Sequence, residues 1–176
     1  MLKGKVVTLR PPEERDIEEM YRHILDVENR GEFYPRQIYT LAGLRKELND
    51  DGFWARDHGL LLLIDNATDK MIGQMAWFKT VQYMTELEIG YITFDRSARG
   101  KGAMTEAVRM LTRYLFDIRN DNRIILCIAT ENKASRRVAE KAGYTHEGTQ
   151  RGAWWNNGNH YDMELYAFLR EDLPPA

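Results

Sequence analysis

The chain has 176 residues, long enough for one domain to bury most of its apolar surface in a single core without metal or disulfide support. Hydrophobic residues make up 43% and charged residues 30%, and the formal net charge of -2 argues against broad binding to nucleic acid, which relies on a positive excess. No apolar run is long enough to span a bilayer and the first ten residues lack the apolar stretch of a signal peptide, so a cytoplasmic protein without a membrane partner is expected.

Residues 5–10 read as a short strand, punctuated by Pro11 and Pro12. Residues 13–25 then carry Ile17, Met20, Tyr21 and Ile24 at helical spacing. Residues 31–39 hold aromatics and a proline without periodicity, which suits a substrate loop, and a second helix is expected over 40–48 with Thr40 as its N-cap. Residues 60–65 and 71–78, separated by the turn formers Asn66 to Asp69, predict an antiparallel hairpin. A further strand over 85–94 carries Gly90, where a bulge or close backbone approach is expected. The helix over 103–118 shows an apolar face of Ala107, Val108, Leu111, Leu115 and Ile118, and the strand 123–129 after it implies a parallel crossover.

Asn132 is placed to cap a helix that Gly143 stops, a last hairpin turns at Asn157 and Gly158, and Leu173 to Pro175 form a structureless tail. The pattern is α/β, of the α+β kind. Cys127 lies in the apolar run 124–129 and reads as a buried thiol acting as a small hydrophobe. His23, His58, His146 and His160 lack the paired short spacing of metal ligands, so no metal is expected.

The informative stretch is 96–108, where Arg96, Arg99, Lys101, Gly100 and Gly102 stand directly before a helix. The unpaired N–H groups and positive dipole end of a helix start attract an anion. A nucleoside-triphosphate loop needs Gly-Lys followed by Ser or Thr, with an earlier glycine; here Gly102 follows Lys101 and residues 95–99 hold no glycine. A dinucleotide fingerprint needs a third glycine where Thr105 stands.

The remaining pattern, Arg99 and Gly102 followed by Met104 at a strand-to-helix turn, resembles the Gln/Arg-x-x-Gly-x-Gly/Ala pyrophosphate loop of the GNAT N-acetyltransferase family, with Met104 in place of a small residue. Residues 131–148 resemble the family's second block, especially in its RimJ/RimL-like branch of ribosomal-protein and spermidine acetyltransferases. Leu9 to Pro11, Asn157 with Gly158, and Tyr161 to Met163 extend the likeness over nearly the whole chain. The resemblance implies one acetyl-CoA-dependent N-acetyltransferase domain over 1–176. Its sheet would be mixed, with about six to seven strands, antiparallel in its N-terminal part, a splayed parallel pair at its centre and about four flanking helices.

The resemblance also implies that backbone groups at Ile92 and Phe94 bond the pantetheine arm of coenzyme A. Amides from Arg99 through Gly100, Lys101, Gly102 and Ala103 to Met104 would bind its pyrophosphate, Asn132 would touch the pantetheine, and Ser135 would protonate the departing thiolate. Taken without the family, Arg99 and Lys101 are solubilising charges, Asn132 is an N-cap and Ser135 is a residue of a first helical turn.

Attack of a neutral amine on a thioester needs a proton acceptor and a donor to the carbonyl oxygen. Glu88 is the expected base, two residues from Gly90, with Glu86 on the same strand face as a competitor nearer to solvent; the plain alternative for both is a polar outer face. Trp154 and Tyr161, with Glu86, are expected to border the acceptor, Asp162 or Glu164 to pair with a cationic amine, and Trp155 to sit in the core. The acceptor would be a small-molecule amine such as a polyamine or amino compound, or a protein N-terminus. Two alternatives stay open: a non-catalytic acyl-CoA-binding module of the same fold, and a homodimer formed through Phe33, Tyr34, Trp154 and Trp155.

Overall fold

The computed structural model describes residues 1–27, 30–94 and 96–174, so part of the expected tail after Leu173 lies outside the described residues. Eight strands form one sheet: β1 (Leu2–Lys3), β2 (Val7–Arg10), β3 (His58–Asp65), β4 (Met71–Lys79), β5 (Glu86–Thr93), β6 (Arg123–Ala129), β7 (Thr145–Asn156) and β8 (Asn159–Leu169), in the order β1-β2-β3-β4-β5-β6-β8-β7. The strand beyond the expected seven is β1, which folds back on β2 through a turn closed by Gly4 N–H on the Val7 carbonyl at 2.8 Å. Every neighbouring pair is antiparallel except β5 and β6.

Among the described residues four α-helices cover the sheet: α1 (Ile17–Leu25), α2 (Leu41–Asp51), α3 (Ala103–Ile118) and α4 (Lys133–Ala142). The continuous apolar run of β3 follows from this two-sided cover. Leu61 and Leu63 join the core under α3 and α4, while Leu62 and Ile64 join the one under α1 and α2. On α3 the buried face ends at Phe116 and not at Ile118, which is 50% exposed. Thr40 accepts the Gly43 N–H at 3.0 Å and Asn132 accepts the Ser135 N–H at 3.1 Å, so both expected N-caps are present. Asn157 and Gly158 take positive φ in the last hairpin, as a two-residue primed turn requires.

The sheet is open at its centre. β5 and β6 pair only at Glu86 with Arg123, Leu87 with Ile124 and Glu88 with Ile125, although both strands continue to Thr93 and Ala129. Beyond Glu88, β5 keeps its partner β4 and β6 keeps its partner β8, so the two parallel strands diverge. Gly90 is not a bulge: the β4–β5 ladder runs unbroken from Gly73 with Thr93 to Lys79 with Leu87.

Candidate active site

In an antiparallel ladder, alternate residues direct both backbone groups to the same partner strand. Phe94 donates its N–H to the Ile72 carbonyl at 2.9 Å. With Gln74 opposite Ile92 and Ala76 opposite Gly90, that bond assigns the backbone of Glu88, Gly90, Ile92 and Phe94 to β4. Odd-numbered residues face the other way, as the Thr85 carbonyl shows by accepting the Arg123 N–H at 3.2 Å. Where β6 has withdrawn, Tyr91 and Thr93 therefore turn their N–H and C=O groups into the gap. The expectation for Ile92 and Phe94 is one residue out of register: their backbone groups are engaged with β4. Ile92 still lines the cleft, while the Phe94 ring stacks on His23 at 4.5 Å and packs against the core under α1 and α2.

The gap opens into a cleft of about 1340 Å³ whose lining includes Tyr91, Thr93, Gly100, Gly102, Asn132 and Ser135. At its floor α3 begins. Gly102 is its N-cap with φ 86°, preceded by Gly100 with φ 77°. A Cβ at either glycine would meet no atom within 4 Å, so both backbones border free space. The first intrahelical bond, Glu106 N–H to the Gly102 carbonyl at 3.0 Å, leaves the preceding amides of α3 for an anion. Met104 packs against the core under α3 and α4, which accommodates a large residue at a position where the family pattern has a small one. Arg99 reaches the Thr93 carbonyl at 3.4 Å and borders the cleft. Lys101 is exposed outside that lining, and its charge acts on Asp65. Sequence reading missed Lys133, Arg137 and Lys141, which border the same cleft along one face of α4; their spacing of four was the available signal. An extended polyanion fits this wall.

On the α4 side of the gap, Ser135 Oγ lies 2.7 Å from the Tyr91 hydroxyl. The oxygen of Asn132 is taken by its cap, leaving the amide nitrogen for a ligand. Glu88 stands on the opposite face of β5 from Tyr91. Burial raises its carboxyl to about 7, the Cys127 thiol opposes the rise by hydrogen bonding to it, and the charge of Glu86 adds to it. Cys127 is thus half-buried against a carboxylate instead of filling the core; burial, then Glu88, pushes its thiol up to about 12.

Glu86 is not the solvent-side competitor. It is 7% exposed, pairs with Arg123 Nε at 2.6 Å and accepts the Thr80 hydroxyl at 3.2 Å, so its charge is committed to holding β5 to β6. The other acceptor-side carboxylates are also engaged. Asp162 accepts the Gly152 N–H at 2.7 Å, and buried Glu164 pairs with Arg136 at 2.9 Å. Trp154 packs on Tyr161 at 5.4 Å between ring centres, and Phe33 meets the Tyr161 ring edge-on at 6.3 Å, so the 31–39 loop and the last hairpin form one aromatic wall. That loop is pinned by Arg30 on the Pro35 and Gln37 carbonyls and by Asn156 on the Glu32 carbonyl. Trp155 points to the opposite face from Trp154 and is 61% exposed, contrary to the expected core position. Of the four aromatics considered for a dimer surface, it alone is largely exposed. Among the described residues no group of His, Cys, Asp and Glu is arranged to hold a metal ion.

The model of the acetyltransferase (GNAT) domain matches residues 7–145. The chain belongs to the GNAT acetyltransferase family. This GNAT chain is similar to the probable N-acetyltransferase YjcK of Bacillus subtilis (strain 168), with 34% identity over 98% of each chain. It is 29% identical to the putative ribosomal N-acetyltransferase YdaF of the same organism, over 94% of this chain and 92% of that one. Its fold is similar to that of spermidine N-acetyltransferase from Vibrio cholerae, solved in complex with CoA and spermine, with a TM-score of 0.81 over 96% of this chain and 98% of that one; at 19% identity this likeness speaks for the fold alone. The GNAT chain is accordingly an enzyme, an acyltransferase.

Proposed function

We propose that this GNAT enzyme transfers an acetyl group from acetyl-CoA to a primary α-amino group, that of a protein N-terminus or of a small amino compound. The observation that carries the reading is the gap between β5 and β6, which opens just past the last pair, Glu88 with Ile125, and is lined by Tyr91 and Ser135. Acetyl-CoA supplies the thioester. The α3 amides and Gly102 hold its diphosphate, and the turned-in backbone of Tyr91 and Thr93 orients the pantetheine arm. Glu88 accepts the proton released as the amine nitrogen bonds to the acetyl carbon. Ser135 gives its hydroxyl proton to the sulfur as the C–S bond breaks and recovers one from solvent.

Two features favour an α-amine over a polyamine. An α-amino group has a pKa near 7.7–8, so a base titrating at about 7 meets a substantial neutral fraction, whereas an alkylamine near 10.4 is almost wholly protonated. Glu86 and Glu164 are also each paired with an arginine, so neither offers a free charge to a polycation.

Calorimetric titration with coenzyme A, followed by a thiol-release screen over peptides with free N-termini, amino acids, monoamines and spermidine, tests the reading. Saturable coenzyme A binding and turnover on α-amines support it. Binding without thiol release on any amine would leave the non-catalytic module instead, and a preference for spermidine would remove the α-amine assignment.

A further inference from the structure

The proposed donor, Ser135, has a partner whose chemistry decides where its proton points. Tyr91 rises from β5 beside the gap, and its hydroxyl lies 2.7 Å from Ser135 Oγ and 3.4 Å from the Ser135 carbonyl. A partly buried phenol needs a hydrogen-bond partner: the Ser135 carbonyl can only accept from it, whereas in the contact with Oγ either hydroxyl can be the donor. The much shorter contact is to Oγ. Burial raises the phenol to about 12, so the group keeps its proton throughout the neutral range and has it available to donate to Oγ.

A serine hydroxyl has one hydrogen. In a first helical turn that hydrogen is free to bond back to local backbone carbonyls, a competing arrangement that would withdraw it from the cleft. If Oγ accepts from Tyr91, its own hydrogen must turn to another acceptor, and the open direction is the cleft that Ser135 and Tyr91 both line.

We infer that Tyr91 is a positioning residue that fixes Ser135 Oγ as a hydrogen-bond acceptor and thereby aims the serine O–H at the sulfur leaving group. Tyr91 transfers no proton: its O–H bond stays intact while Ser135 donates. The inference rests on the assignment of Ser135 as proton donor, and the test separates the two.

The full-length enzyme is assayed by thiol release from acetyl-CoA, with the best acceptor from the amine screen, as Tyr91→Phe, Ser135→Ala and the double variant. Tyr91→Phe keeps the ring and its packing and removes one oxygen. It is expected to lower kcat about fivefold to tenfold, the factor that one neutral hydrogen bond commands, with the calorimetric Kd for coenzyme A unchanged within twofold. The double variant is expected to be no slower than Ser135→Ala, because the tyrosine acts only through the serine.

Full kcat in Tyr91→Phe alongside a slow Ser135→Ala overturns the inference and leaves Ser135 as donor. Losses that multiply in the double variant also overturn it, because they show a role independent of Ser135. Full kcat in Ser135→Ala removes the donor assignment and the inference together. Thermal melts of all three variants identify any loss that comes from unfolding, and Ser135→Thr supplies a donor-retaining comparison that should remain sensitive to Tyr91→Phe.

Discussion

Replacing Glu88 by glutamine removes the proposed base with little change of shape, and the structure sets the size of two separate effects. The carboxyl titrates at about 7 in the fold against an ordinary 4.5, chiefly because burial disfavours its charge. Between those values the folded state holds a proton that the unfolded chain releases, so stability declines as pH rises through this window. At about 1.4 kcal/mol per pH unit, ionised Glu88 costs at most about 3 kcal/mol above pH 7, and the penalty vanishes below the unfolded value. Glutamine never ionises and does not incur it. Urea unfolding should therefore show Glu88→Gln gaining on the parent between pH 5 and pH 8 by up to about 3 kcal/mol. Over the same range the parental kcat/KM should rise with an apparent pKa near 7. The variant should lose about a hundredfold to ten-thousandfold in rate and show no such limb. A stability difference independent of pH, or a limb near 7 that survives in the variant, would refute the assignment of Glu88.

Gly102→Val places a β-branched residue at φ 86° and a side chain in the free space at the start of α3, so coenzyme A uptake by calorimetry should fall below detection while the circular dichroism spectrum stays folded. Ser135→Ala should lower kcat at least tenfold with little change in the Kd for coenzyme A, and an unchanged kcat would remove it as donor. Glu86→Ala breaks a buried pair whose cation keeps a second partner, Glu147 at 2.7 Å, so the loss should be near the low end for such pairs, about 3 kcal/mol by urea unfolding. Its kcat/KM should retain the Glu88 limb, displaced toward acid because a neighbouring negative charge is gone.

The comparison of Glu86 with Glu88 illustrates where sequence reading stops. The alternation of β5 put both carboxylates on one face, and the structure keeps them there. Which one is free depends on Arg123, 37 residues further along the chain, and on the point at which β6 turns away. Tyr91 went unnoticed for the same reason: its role exists only through Ser135 on α4, 44 residues distant.

By itself the sequence determined whatever is settled within a few residues. The caps at Thr40 and Asn132, the turn at Asn157 and Gly158, and the glycine-cation start of α3 are all local, because hydrogen bonds and φ preferences there involve near neighbours. Tertiary structure alone decided the register. A strand's side chains and backbone groups alternate with period two, so its own residues cannot say which of them face β4 and which face the gap. That choice moved the open backbone groups from Ile92 and Phe94 to Tyr91 and Thr93, and it was fixed by the pairing of β5 with β4 and by the separation of β5 from β6.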